Sequence, residues 1–251
     1  MTGNRGFALV AALWVIVALT SVVGLGVATT TLGQRTTVNR ITLTRGRWAA
    51  EACLAITQRR WLQHHLSDTG SIDLGRSAHC RWRIDDPGAR INVNTADLDV
   101  LERLLGDSLR VDSFVRTRRE LRFISVMQLP EELRSVLTVE GNGSVNLNAA
   151  SARVLAALPG MTGEAVERII ERRQLGKPLN SLDELAGALS PSARASLLAR
   201  YQDLARIAVF TPGQLLITTT GTIEHQAPQA TIELVTVPLP DRLAVIRRRL
   251  W

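Results

Sequence analysis

The stretch Arg5-Gly-Phe-Ala-Leu-Val-Ala-Ala-Leu-Trp-Val-Ile-Val-Ala-Leu-Thr-Ser-Val-Val-Gly-Leu-Gly-Val-Ala28 decides how the rest of the chain is read. Arg5 is the first charge and Arg35 the next, so residues 6–34 carry none. Phe7 to Ala28 is apolar apart from Thr20, Ser21, Gly24 and Gly26. As a helix at ~1.5 Å per residue it spans about 33 Å, the thickness of a bilayer's hydrocarbon. Arg5, with no acid near it, favours a cytoplasmic N-terminus. A secretory signal peptide has a shorter apolar core followed by a small-residue cleavage site. Here the core is long and runs on into helix-compatible sequence, which leaves a plain anchor or a processing site before the apolar run.

The second option rests on Arg5-Gly6-Phe7, which resembles the cleavage site of type IV prepilin-like proteins. The resemblance implies cleavage after Gly6 and methylation of Phe7 by a prepilin peptidase. Counted from Phe7, the fifth residue is Ala11. Most pilins have a glutamate there, thought to pair with a neighbour's N-terminal amine inside the membrane. Its replacement by alanine is similar to the minor pseudopilin K of type II secretion systems, the subunit placed first in the pseudopilus.

Outward from this stretch, Val38, Ile41, Trp48, Ala52 and Ile56 form a helically spaced apolar stripe. It predicts a helix, amphipathic in its second half, that packs on a sheet through this stripe. Arg35, Arg40, Arg45, Arg47, Arg59 and Arg60 decorate its other faces. Ser, Asp, Thr and Gly around Ser67 to Gly70 end it. Cys80 to Ile84 alternates like a strand. Cys53 in the helix and Cys80 in the strand are either a disulfide or two buried thiols. His64, His65, His79 and His225 have no metal-ligand spacing.

The middle of the chain repeats itself. Ile91 to Gly106 aligns with Val145 to Gly160 with seven identities in sixteen positions, Asn94/Asn148 and Gly106/Gly160 among them. The match resumes at Ser125 to Leu129 against Ser181 to Leu185. Two related helical modules are expected, with Asn94 and Asn148 as N-caps and Gly106 and Gly160 as positive-φ stops. Ser125/Gln128 and Ser181/Glu184 have capping-box spacing, and Ser190-Pro191 opens a further helix.

Leu158-Pro-Gly-Met-Thr-Gly163 resembles the helix-hairpin-helix, or SAM-like, module. In DNA-binding versions the glycine turn offers backbone N–H groups to a phosphate. Here Thr162 replaces the second glycine, and Glu164 puts a negative charge where the phosphate would approach. A packing module is favoured over a DNA reader. The duplicated arrangement after Arg90-Ile-Asn-Val-Asn-Thr-Ala96 is similar to the inserted helical domain of type II secretion protein K. Family members bind calcium in that region. Asp97, Asp99, Asp107 and Asp112 have no EF-hand spacing, so calcium comes from the resemblance alone and no cofactor is identifiable from the residues.

Residues Arg206 to Phe210, Leu215 to Ile223 and Thr231 to Val237 read as strands. Asp241 to Trp251, with Arg242, Arg247, Arg248 and Arg249, is a last strand or a solvated end. The 251 residues carry a net charge of +7, but Lys177 is the one lysine, so arginine habit accounts for part of it. Gly-x-Ser-x-Gly, His-Glu-x-x-His and Walker signatures do not occur, so an enzyme is not expected.

The expectation is an α+β, pilin-like fold: leader 1–6, a transmembrane and amphipathic helix 7–70, a small antiparallel sheet from 71–87 and 206–251, and an inserted helical domain 88–205. The resemblance implies a minor pseudopilin of the bacterial inner membrane with its bulk in the periplasm. It also implies partners: pseudopilins of the I, J and H types, the inner-membrane secretion platform and the prepilin peptidase. The competing reading is a membrane-anchored, competence-type DNA-binding protein.

Overall fold

The computed structural model describes residues 4–63, 68–75, 77–223 and 226–251, and of residues 4–9, 108–110 and 226–229 the backbone alone. Helix α1 (Asn4–Leu62) is 59 residues long and unbroken, about 88 Å at ~1.5 Å per residue. It contains no proline, and Thr20, Thr30, Thr31, Thr36 and Thr37 fold their hydroxyls back onto carbonyls four residues earlier. Strands β1 (Thr69–Gly75) and β2 (Ala78–Asp85) follow. Next come β3 (Ile91–Asn92), α2 (Leu98–Leu105), α3 (Ser108–Glu120), β4 (Leu137–Thr138), β5 (Val145–Asn146), α4 (Ala152–Ala156) and α5 (Gly163–Gln174). Then α6 (Leu182–Gly187), α7 (Pro191–Ala199), α8 (Tyr201–Ile207) and β6 (Ala208–Val209) complete the helical body. Strands β7 (Leu215–Ile223), β8 (Gln226–Pro238) and β9 (Leu243–Leu250) close the chain.

One antiparallel sheet has the order β1-β2-β7-β8-β9. Because β2 pairs directly with β7, Asp85 opposite Leu216, everything between them is an excursion from a single strand pair. The C-terminal tail is thus a strand, β9, at the sheet edge. Two cores result. Ala50, Cys53 and Leu54 of α1 pack on Cys80, Trp82, Ile84, Leu215, Ile217, Ile232 and Leu234 of the sheet. A larger core joins both repeat units, among them Leu101, Leu133, Leu147, Leu155, Ile169 and Leu197.

The face of α1 that meets the sheet is not the expected one. Val38, Ile41, Trp48 and Ala52 are exposed, Trp48 by 70%. The buried face is Thr42, Gly46, Ala49, Ala50, Cys53 and Thr57. The reason is close approach. A Cβ added to Gly221 of β7 would lie 2.1 Å from the carbonyl oxygen of Gly46 and 2.5 Å from the amide nitrogen of Ala50. Helix backbone lies against strand backbone, so small residues line the contact. There the Thr219 hydroxyl donates to the Ala50 carbonyl at 3.1 Å, fully buried.

The reading of Arg206 to Phe210 as a sheet strand is also corrected. Helix α8 runs to Ile207, and β6 pairs in parallel with β5 inside the helical body. The large sheet resumes at Leu215, not at 206. A short apolar run fits a helix end as well as a strand.

Candidate functional site

At the N-terminus, Gly6 and Phe7 lie in the backbone of α1, whose first turn holds no acid; their side chains and residues 1–3 are outside the described part. Ala11 sits exposed on the helix, as do the apolar residues from Val10 through Val27. The helix is long and apolar enough to cross a membrane, and none of its most apolar window is buried in the protein. Cys53 and Cys80 form a disulfide with Cα atoms 5.9 Å apart, fully buried, tying α1 to β2.

Asn94 and Asn148 are not N-caps. Asp97 occupies the cap position of α2, and Ser151 caps α4 by accepting from Val154 N–H. Each asparagine instead clamps a distant loop. Asn94 accepts from Phe123 N–H at 2.9 Å and donates to the Phe123 carbonyl at 2.9 Å. Asn148 does the same to Leu179, at 2.9 and 2.8 Å, and also donates to the Phe210 carbonyl. The side chain acts like one residue of a β-ladder, and the pairing is conserved between the two units. Two residues upstream, Asn92 and Asn146 accept the backbone N–H of Asn94 and Asn148. Their amides then diverge: Asn92 donates to the carbonyls of Glu140 and Gly141, Asn146 to the Asp86 carboxylate. The internal repeat marks the asparagines; their partners, 29 and 31 residues away, carry no local signal.

Gly106 and Gly160 both have positive φ, 66° and 71°. Gly160 is crowded as well, since a Cβ there would lie 3.0 Å from the Ser196 carbonyl of α7. Ser125 caps with its box partner Gln128, though on a single 3-10 turn, Val126–Gln128. Ser181 and Ser190 cap α6 and α7.

At the hairpin, Thr162 caps α5 and Glu164 turns to the neighbouring helix. Its carboxylate accepts from Ser190 N–H at 2.7 Å and from the Ser190 hydroxyl at 2.5 Å. These bonds hold the Glu164 carboxyl below its ordinary range. The negative charge at this helix start is therefore built in, and a phosphate would meet it.

A cleft of about 650 Å³ lies where the chain leaves β2 and includes Asp85, Asp86, Arg90, Arg134 and Ser151. Burial pushes the Asp86 carboxyl up, against the bonds from Asn146 and Gly88. Both of its oxygens are engaged, by Gly88 N–H and the Asn146 amide, which is a stitching role between the first turn of the helical body and β5. Among the described residues no three His, Cys, Asp or Glu side chains converge as metal ligands. His64, His65 and His225 lie outside the described residues; His79 stands 3.8 Å from Asp73.

The architecture is an α+β, pilin-like fold, with a long apolar N-terminal helix laid on an antiparallel sheet and a helical body inserted between adjacent strands. Within that class the fold is GspK-like. The chain superimposes, with a TM-score of 0.54 over 89% of its length and 99% of the other chain, on a chain of the crystal structure of the GspK-GspI-GspJ complex from the enterotoxigenic Escherichia coli Type 2 Secretion System. Sequence identity is 11%. The helix-hairpin-helix motif family matches residues 140–188. No curated protein sequence matches the chain.

Proposed function

We propose that this protein is a minor pseudopilin at the tip of a type II secretion pseudopilus, where it initiates or caps assembly and supports secretion across the outer membrane. The observation that carries the reading is the fold, matched over 89% of the chain to a subunit from such a complex. Its mechanism is non-covalent. The apolar half of α1 is held in the inner membrane and then transfers into the filament bundle. Ala11 offers no carboxylate to a neighbour's amine, so the subunit suits a first position with nothing above it. GspI- and GspJ-like pseudopilins are the partners by analogy with that complex; an H-type pseudopilin, the secretion platform and the prepilin peptidase follow from the same reading.

The bulk of the chain is assigned to the periplasm. Charge flanks oppose this, because Arg35, Arg40, Arg45 and Arg47 follow the span and Arg5 alone precedes it. The buried Cys53–Cys80 bond favours it, since disulfides persist in oxidising compartments.

The test is mass spectrometry of the membrane-bound protein's N-terminus, with and without a prepilin peptidase. Cleavage after Gly6 with a methylated Phe7 is expected; an intact or late-cleaved terminus would remove the reading's foundation. Deleting the helical body while closing β2 onto β7 should spare membrane insertion and abolish secretion.

The match at 140–188 favours one second reading, a membrane-anchored DNA binder. It requires duplex affinity that falls steeply with salt. With Glu164 occupying the hairpin's helix start, only weak association is expected, with a shallow salt slope.

A further inference from the structure

The two repeat units share a clamp and a cap and differ in the side chains around them. In both, an asparagine clamps a loop residue, Phe123 or Leu179, and a serine two residues later caps the next turn. This fixes the alignment of the loops independently of their surface residues. In the second unit, positions 177, 180 and 183 are Lys, Asn and Asp, all exposed. In the first unit the corresponding residues are Leu121, Ile124 and Met127, exposed by 75, 65 and 69%. The fold does not require apolar side chains there, because its own second copy uses polar ones.

The surroundings are a built surface. Phe123, held by Asn94, lines a groove of about 460 Å³ with Phe114, Pro130 and Leu133 on one side. On the other side it lines a second groove, about 390 Å³, with Ile124, Arg122, Ile246 and Arg249. Arg249 donates to the Ile124 carbonyl, which anchors the loop to edge strand β9. Arg116, Arg119 and Arg122 are exposed, and none of the three is in an ion pair among the described residues. Glu120 is the one acid in the run from Arg116 to Ile124.

We infer that the Leu121–Ile124–Met127 knuckle is a docking surface for another protein, whose contacting segment presents apolar side chains flanked by aspartate or glutamate. The apolar trio supplies the anchor that enters or faces the partner, and the exposed arginines next to it in the chain, Arg119 and Arg122, select carboxylates and steer the approach. Nucleic acid would use the arginines and leave the trio exposed, so it fits half the surface. The inference does not depend on the secretion reading, since it follows from the divergence of the two units.

The test is site-specific photo-cross-linking of the full-length chain in its membrane, with benzoylphenylalanine at Met127 and, as the internal reference, at Asp183. The expected result is a protein adduct from 127 and none from 183, mapping to a partner segment that carries apolar residues beside Asp or Glu. R119E/R122E should lower the yield about fivefold, the scale of two exposed ion pairs converted to repulsions. L121K/I124N, which transplants the second unit's residues, should abolish the adduct with thermal unfolding unchanged; if that variant unfolds, the charge reversal alone decides. Equal adducts at both positions, no adduct, a yield indifferent to charge reversal, or an adduct to lipid or nucleic acid would each overturn the inference.

Discussion

A single asparagine shows how a residue's role can be misread from its place in a motif. Asn94 and Asn148 precede helices, and a capping role needs only an acceptor. The structure uses donor and acceptor together on the backbone of one distant residue. Asn94→Asp, which a cap would tolerate, is therefore expected to be nearly as damaging as Asn94→Ala. Each should cost about 2 kcal/mol, the scale of leaving buried backbone groups unpaired, read by urea unfolding. If aspartate restores stability, the clamp is not what the position contributes. Glu164 gives a pH signature at the same scale. Its carboxyl lies below its ordinary value of 4.5 because Ser190 donates to it twice. A lowered carboxyl pKa contributes stability that is fully present above the unfolded value and lost as pH falls through the folded one. Wild type should exceed Glu164→Gln in stability at neutral pH, and the difference should close in acid below that ordinary value. Asp86 works in the opposite sense: its raised pKa makes the native state bind its proton first, which favours folding as pH falls toward the unfolded value.

At the scale of elements, the long helix, the strand around Cys80 and the duplication were legible in the sequence, because each rests on a local pattern: an uncharged apolar run, a period of two, and repeated residues. The face of α1 was not. Periodicity finds large apolar residues, and here those face outward while Gly46, Ala49 and Ala50 meet the sheet. The signal was present as small residues at helical spacing, but its meaning depends on Gly221, far along the chain. The last short strand was hidden for a related reason, since Ala208–Val209 is defined by its partner β5 and not by its own composition. The close helix–sheet contact predicts a strongly non-linear response to size. Gly221→Ala should separate α1 from the sheet and cost about 3 kcal/mol or more by overpacking. Gly75→Ala, with nothing near the added Cβ, should cost about 1 kcal/mol from its positive φ alone. Thermal unfolding of the pair, disulfide intact, checks the contrast; equal effects would mean that the helix can move away without penalty.

For the whole molecule, the question is how a body inserted into one strand pair is held at a defined angle to the sheet. Two covalent connections, near Asp86 and near Phe210, act as a hinge unless something braces them. The brace is on the far edge. Arg247 of β9 donates to Glu140 of the helical body at 2.6 Å and to Glu233 of β8 at 3.3 Å, and those carboxylates hold the Arg247 guanidinium's pKa up against its partial burial. Arg249 adds its bond to the Ile124 carbonyl. Glu140 lies beside the 211–214 linker, in one cleft with Gln214 and Arg247, so losing the brace frees rotation there without unfolding either core. Glu140→Gln and Arg247→Met are each expected to lower global stability by about 1 kcal/mol, discounted for the partial exposure of the arginine. Combined, they should cost less than the sum of the two, because they share one interaction. The sharper readout is local. Amide exchange in residues 211–214, which link the body to β7, should quicken in both variants, while exchange in the Asn94 and Asn148 clamps stays at the wild-type rate. Quickening everywhere would make the ion pair part of global stability and not a brace. No change at the linker would mean that the Asp86–Asn146 stitch alone fixes the angle.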